Sequence, residues 1–393
     1  MEDNGGVETE VLGQAPDDIA GEPASVPSAL LARVSGAVRA SGGWLPFDRF
    51  MAMALYEPGL GYYANATPKF GHLPDGSNGQ GSDFVTAPEL TPLFGHTLAR
   101  QVAEALEATG TDEVWEFGAG SGALALQVLD GLQAIGRTPR QYTIVDLSGS
   151  LRERQQATLA RHAACVRWAD RLPEAFDGVL LGNEVLDAMP VQLLARRGGL
   201  WHERGVSLDA VGGLIWVDKP TDLRPPLEVD GTHDYLTEIH PQAEAFIRTL
   251  ADHWQHGAGF FIDYGFPEAE YYHPQRHMGT LTCHRGHRRD DDPLADLGLK
   301  DITAHVNFTG IALTAQSSGL SVLGYTSQGR FLLNAGLLDL AKEAGPRENA
   351  MMQKLVNEHE MGELFKVLAI GPDASGREWL PSGFAVGDRT HRL

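Results

Sequence analysis

The stretch "TDEVWEFGAGSGALALQVLDGL", residues 111 to 132, constrains this chain more than any other. A short apolar run meets three glycines at alternate positions, Gly118, Gly120 and Gly122, and a helix-like segment follows. Glycine tolerates positive φ and lets the backbone approach a ligand closely. The helix beyond the turn offers unpaired N–H groups and a dipole that favours an anion. Strand, glycine turn and helix in this order predict one half of a doubly wound parallel sheet.

The rest of the chain keeps that rhythm. The runs "VWEF", "YTIVD", "CVRWA", "GVLLGN" and "GFFIDYG" read as strands separated by helical or mixed segments. They lack polar alternation, as strands covered on both faces do. "FKVLAIG" is a last strand near the end. Before the glycine turn, Ser28 is a candidate N-cap for a helix with Leu30, Leu31, Val34 and Val38 at helical spacing. A second helix follows Pro46, and "TPLFGHTLARQVAEALEATG" is a third that stops at Gly110. Two stretches break the rhythm: 191–230, which reads as short hairpin strands with glycine turns, and 266–310, which is irregular and rich in His, Arg and Asp.

A formal net charge of -21 makes non-specific nucleic-acid binding a poor expectation. The two cysteines, Cys165 and Cys283, form no disulfide framework and fit a reducing compartment. No apolar run reaches the roughly 18 residues of a membrane span. The first residues are acidic and rich in Gly and Pro, which reads as a disordered tail rather than a targeting peptide, so cytoplasm is the expected location.

The turn itself leaves two ligands open. "GAGSGA" satisfies the G-x-G-x-x-[GA] pattern of a dinucleotide site. Glu116, two residues before Gly118, instead gives E-x-G-x-G-x-G, frequent in class I methyltransferases that use S-adenosylmethionine. Asp146, at the end of "YTIVD", suits the ribose hydroxyls of either cofactor. The third glycine at the fifth position and the strand–helix–strand ending favour S-adenosylmethionine.

At this point a resemblance becomes specific. "FDRFMAMALYEPGLGYY", "SDFVTAPELTPLFG", "WEFGAGSGALA", "LGNEVLDAMPV", "FFIDYG", "GTLTCHRGHRRDDDPLADLGLKDITAHVNFT" and "MGELFKVLAIGP" follow one another as in the MidA-like family of S-adenosylmethionine-dependent methyltransferases. The blocks extend over residues 28 to about 372. The resemblance implies an α/β, Rossmann-like class I fold with a seven-stranded, mostly parallel sheet whose last strand is antiparallel. It also implies an N-terminal helical segment, an inserted substrate cap and room for a homodimer. The activity it implies is methylation of an arginine on a protein of respiratory complex I. Two departures are Ser82, where the family has Gly, and Asn307, where Asp is common.

Methylating an arginine demands that a guanidinium be gripped and relieved of a proton, which paired carboxylates do. "GVLLGNEVLDAMP" is the expected place, because ligands bind beyond the carboxyl ends of such strands. Asn183 or Glu184 is expected at the cofactor's methionine end, with Glu184 and Asp187 orienting the acceptor from a first helical turn; the bland reading is helix capping. Asp83, Thr86 and Glu89 are lid candidates or a capped loop, and Asp263 and Tyr264 follow the fifth strand. Asp170 is an adenine contact or a surface acid, and His305 and Asn307 are placed near the acceptor by resemblance. In "CHRGHRRDDD" the spacing matches no zinc site, so the expectation is no metal and a charged loop that binds or covers substrate.

The expected division is a tail over 1–27, a helical and lid segment over 28–110, a core over 111–190, 240–265 and 311–375, cap segments over 191–239 and 266–310, and a tail over 376–393. Rival readings are a methyltransferase of a small molecule and a non-enzymatic assembly factor that keeps the cofactor fold.

Overall fold

A computed structural model describes residues 25–65, 86–146, 149–286, 288–372 and 379–393. Asp83 and Ser82 lie outside the described residues. Seven strands form the central sheet: β1 Glu113–Phe117, β2 Gln141–Val145, β3 Val166–Ala169, β4 Val179–Asn183, β5 Gly259–Phe266, β6 Leu320–Ser327 and β7 Phe365–Pro372. Their spatial order is β6-β7-β5-β4-β1-β2-β3, and a two-residue piece, Val306–Asn307, pairs in parallel with the end of β5. β1 to β5 run parallel, and β7 is antiparallel to both β5 and β6. The order reverses beside β1, and a crevice opens there at the carboxyl ends of β1 and β4.

Both sheet faces are covered, which is why the strands read as apolar runs. On one face Leu98, Val102, Leu124 and Val128 of helices α1 (Leu93–Thr109) and α2 (Ala123–Ala134) pack on Val114, Leu181, Phe260 and Ile262. On the other, Ile247, Leu250, Phe308 and Ile311 of α3 (Pro241–His253) and α4 (Phe308–Ser317) pack on Trp115, Leu180 and Phe261. Phe260 and Phe261 thus point to opposite faces, as the two-residue period of a strand requires.

Three separate segments build one cap. The antiparallel strands Gln192–Arg197, Leu200–Leu208 and Leu214–Pro220 form the expected hairpins, extended by Leu45–Pro46 and by Tyr235–Ile239. The irregular 266–310 stretch contains a small sheet of Arg288–Asp290, Thr282–Arg285 and Asp301–Thr303. The N-terminal helices Val26–Ala40 and Phe47–Tyr56 join both through a shared core of Leu30, Val34, Phe50, Val206, Cys283 and Ile302. The first helix begins at Val26, with Ser25 at the N-cap, rather than at Ser28. Pro27 explains the shift, because a proline fits the first turn, where no N–H partner is needed. No helix among the described residues is long and apolar enough to cross a membrane.

Candidate active site

Between core and cap lies a cavity of about 1060 Å³. Its core side is lined by Glu116, Gly118, Gly120, Asp146, Asn183, Glu184 and Asp187, together with Thr86 and Glu89. Its cap side carries Tyr56, Tyr63, His284, Arg289, Asp301 and His305, and Tyr264 also reaches it. Sequence reasoning singled out the first set and, in the second, His305, Tyr264 and the charged loop that carries His284 and Arg289; it missed Tyr56, Tyr63 and Asp301.

All three turn glycines adopt positive φ, 64° at Gly118, 53° at Gly120 and 82° at Gly122. Gly118 and Gly120 face the cavity, whereas Gly122 caps α2 and packs against Gln155. Gln155, fully buried and not anticipated from the sequence, donates to the Gly120 carbonyl at 3.1 Å and to Asp146 Oδ2 at 2.9 Å. It therefore sets the turn and the Asp146 carboxylate relative to one another. Glu116 accepts a 2.6 Å bond from the Tyr142 hydroxyl, and burial raises its carboxyl to about 7, with Asp146 adding to the rise. The Ser121 hydroxyl donates to Glu89, which ties the one-turn helix Ala87–Leu90 to the glycine turn.

The turn after β4 is not the first turn of a helix, as the three-residue spacing suggested. Glu184 has φ of 54°, a left-handed conformation uncommon for a residue with a side chain. Asp263 explains how it persists. Its Oδ2 accepts from the backbone N–H of Val185 at 3.1 Å, Leu186 at 2.9 Å and Asp187 at 3.3 Å, and its Oδ1 accepts from the Tyr264 N–H at 3.0 Å. The Glu184 N–H donates to the Ile262 carbonyl at 2.9 Å. Burial and the neighbouring Asp187 and Glu184 push the Asp263 carboxyl up, and the converging N–H groups pull it down. Every polar contact named for it is a donor, so this geometry accommodates the charged form. Asp263 is 1% exposed and shapes the turn from behind instead of lining the cavity.

The result is two carboxyls facing one space. Burial raises Glu184 to about 8, with Asp187 and Asp301 adding to the rise and the Asn183 amide opposing it. Burial raises Asp187 to about 6, opposed by a hydrogen bond from the Tyr264 hydroxyl. One Asp187 oxygen, Oδ1, and the Asn183 Oδ1 are buried with no partner among the described residues. Buried polar atoms are nearly always paired in a complete site, so these two acceptors point to a donor-rich ligand.

From the cap, the Tyr63 hydroxyl donates to Asp301 Oδ1 at 2.8 Å, and its ring stacks on Tyr56 with centroids 5.6 Å apart. Tyr56 donates to the Ala188 carbonyl at 2.9 Å, fastening the cap to the turn after β4. His305 lies between Tyr264 and Phe266, and burial lowers it to about 4, helped by Arg276, Arg289 and Lys366. Its Nδ1 is buried without a partner among the described residues.

Besides Gly122 and Asp263, two further expected site residues do not line the cavity. Asn307 is the N-cap of α4, accepting from the Gly310 N–H at 3.2 Å, and does not line the cavity. Asp170 is exposed and outside the cavity lining, where its neighbours Arg171 and Leu172 appear instead. Cys283 and His284 are adjacent in a strand and so point to opposite faces, Cys283 into the cap core. Among the described residues no cluster of three or more His, Cys, Asp or Glu is placed to hold a metal.

Residues 97–326 match a family described as "Putative S-adenosyl-L-methionine-dependent methyltransferase". A crystal structure from Burkholderia thailandensis bound to S-adenosyl-homocysteine is 48% identical, with TM-score 0.88, over 98% of this chain and all of that one. The "Protein arginine methyltransferase NDUFAF7 homolog, mitochondrial" of Caenorhabditis elegans is 26% identical over 90% of this chain and 89% of its own length. The human "Protein arginine methyltransferase NDUFAF7, mitochondrial" is 26% identical over 84% of this chain and 81% of its own. This chain, with a glycine turn and an Asp146 carboxylate in one cavity, belongs to the S-adenosylmethionine-dependent methyltransferases of the MidA-like family.

Proposed function

We propose that this enzyme is a protein arginine N-methyltransferase. The observation behind the reading is the pair Glu184 and Asp187, raised to about 8 and about 6 and facing one cavity. Among the described residues, the charges of Asp187 and Asp301, both negative, act on Glu184. Such a cluster is unfavourable alone and is relieved by a cation with several donors. A guanidinium, planar and with five donors, meets that demand better than a lysine ammonium.

The chain's residues fit the cofactor that the family uses. Gly118 and Gly120 bring backbone close, Glu116 and the unpartnered Asn183 Oδ1 suit an ammonium, and Asp146 suits ribose hydroxyls. Val145, Leu172, Met189 and Phe246 offer an apolar lining for a base. When bound, S-adenosylmethionine supplies an electrophilic methyl group on a sulfonium. Glu184 and Asp187 hold and orient the acceptor guanidinium, and Asp187 or Glu184 takes the proton that methylation releases. Tyr264 fixes Asp187, and Asp263 positions both acids through the backbone. Thr86 and Glu89 form the rim beside the glycine turn.

We read the acceptor as an arginine of a respiratory-chain subunit in a cytoplasmic enzyme. The resemblance to the MidA-like family and the names of the relatives support the first point. Two free cysteines support the second. The test is incubation of the full chain with methyl-labelled S-adenosylmethionine and candidate subunits, followed by mass spectrometry. Label on an arginine, absent with Glu184→Gln and Asp187→Asn, supports the reading; label only on small molecules sinks it.

A further inference from the structure

The small cap sheet places three side chains in one row. His284 lies directly across from Arg289 on one side and from Asp301 on the other. Residues opposite each other in antiparallel strands project to the same face, and all three line the cavity. Their neighbours Cys283 and Asp290 face the other way, Cys283 into the cap core and Asp290 onto the buried Lys300 at 2.9 Å. The row therefore carries a carboxylate at one edge, an imidazole at the centre and a guanidinium at the other edge.

The two ends have different surroundings. Asp301 is 3% exposed, holds the Tyr63 hydroxyl and acts on Glu184. Arg289 is on the edge strand, its side chain 69% exposed. Its one ion pair among the described residues is to Asp291 at 3.8 Å, and both partners are well exposed, which makes the pair weak. Burial and the charge of Arg289 both disfavour protonation of His284, so the imidazole does not compete as a second cation. The cavity is thus bipolar, acidic towards β4 and cationic at the outer edge of the cap.

We propose that Arg289 is a specificity residue that binds an anionic side chain of the acceptor, near the methylated arginine. This rests on the arginine reading above. Strands lie roughly 4.8 Å apart, so the two ends of the row are separated by about 10 Å. An extended chain covers that distance in about three residues. Asp301 acts on Glu184, which puts the acidic end of the row on the arginine's side of the cavity. The acceptor is therefore a peptide segment with a carboxylate a few residues from its arginine, at an offset that the peptide series determines.

Short synthetic peptides with a central arginine test this, in a Gly/Ser background with one glutamate at varied offsets. They are titrated into the full chain saturated with S-adenosyl-homocysteine, beside glutamine and citrulline counterparts. We expect glutamate to improve affinity over glutamine by about two- to fivefold at the best offset, the worth of an ion pair to a solvent-exposed arginine. Arg289→Ala removes that preference and Arg289→Glu reverses it, with S-adenosyl-homocysteine affinity unchanged. Equal binding of glutamate and glutamine peptides, or a preference that survives Arg289→Ala, overturns the proposal. So does loss of S-adenosyl-homocysteine affinity in Arg289→Ala, which would place Arg289 on the cofactor. If citrulline binds as well as arginine while the glutamate preference persists, the arginine reading fails and the anion subsite stands.

Discussion

The two sides of the cavity are built by different means. The cofactor side comes from consecutive elements, β1, its glycine turn and α2, with β2 supplying Asp146 next door. The proposed acceptor side is assembled from parts far apart in the chain: Tyr56 and Tyr63, Glu184 and Asp187, and Asp301. The first side works mainly through backbone shape, the second through buried charge. A contiguous unit holds its geometry wherever the sheet forms, whereas the other side needs cap and core to be packed together. Disturbing each side in turn therefore has different signatures.

The largest effect is expected on the acceptor side. Glu184→Gln or Asp187→Asn should lower methyl transfer by at least about 10³, the cost of leaving a buried cation without its partner. Cofactor affinity should stay within a few-fold, because neither carboxylate shapes the glycine turn. Calorimetry with S-adenosyl-homocysteine beside a methyl-transfer assay separates the two quantities. Equal loss of both would mean that these acids serve the cofactor.

Gly118→Val probes the other side. A side chain at a φ of 64° is strained, and a Cβ would come within 3.1 Å of Val185 Cγ2. Strain of about 1–3 kcal/mol predicts a loss of cofactor affinity of about tenfold to a hundredfold. Retained affinity would show that the turn does not approach the ligand through Gly118.

The difference between the two sides also decided what could be read from the sequence. β1, the glycine turn and Asp146 are close in the chain, so strand period, glycine spacing and helix pattern all pointed to one unit. The insertions were visible as breaks in rhythm, but their strands pair over long separations, as Leu45 does with Val206. Asp301 and Tyr63 had no local signal, because their roles arise from a 2.8 Å contact across 238 residues. The acids after β4 were found for an incomplete reason. Three-residue spacing suggested a helix, yet the left-handed backbone at Glu184, held by Asp263, brings them together. Asp263 itself was named as a site residue, but its carboxylate acts on backbone N–H groups, which sequence spacing does not reveal.

The pH dependence sharpens the charge argument. Glu184 rises from 4.5 to about 8 on folding, so the folded state binds its proton more tightly. Its contribution to stability is fully present below about 4.5 and is lost as pH rises through about 8. Glu184→Gln removes that loss, so the variant's thermal midpoint, relative to the parent, should climb by several degrees between pH 5 and 8.5. Activity has the opposite slope. On the proposed arginine reading the guanidinium needs the carboxylate, so kcat/KM for the acceptor should fall about tenfold per unit below pH 8. A flat profile from pH 6 to 9 would mean that Glu184 is ionised throughout.

Tyr63→Phe tests whether the cap contributes to acceptor binding. It removes the hydroxyl that holds Asp301 and keeps the ring stacked on Tyr56. The loss of one such bond predicts a several-fold rise in acceptor KM, with unchanged cofactor affinity. A change in kcat alone would assign the hydroxyl to the chemical step.

The smallest effect concerns Asn307, which family resemblance put near the acceptor and the fold puts at a helix N-terminus. Its side chain accepts from the Gly310 N–H at 3.2 Å, and the residue is 4% exposed. A cap of this kind stabilises by about 1 kcal/mol. Asn307→Ala should therefore lower stability by that amount and leave kcat and KM of the folded enzyme alone. Asn307→Asp keeps an acceptor at the cap, which suits a helix N-terminus, but loses the amide that hydrogen-bonds Glu268, so it should restore only part of the stability. If Asn307→Asp changed acceptor preference without changing stability, the residue would act on the cavity through the neighbouring His305, and the line between cap and core drawn here would have to move.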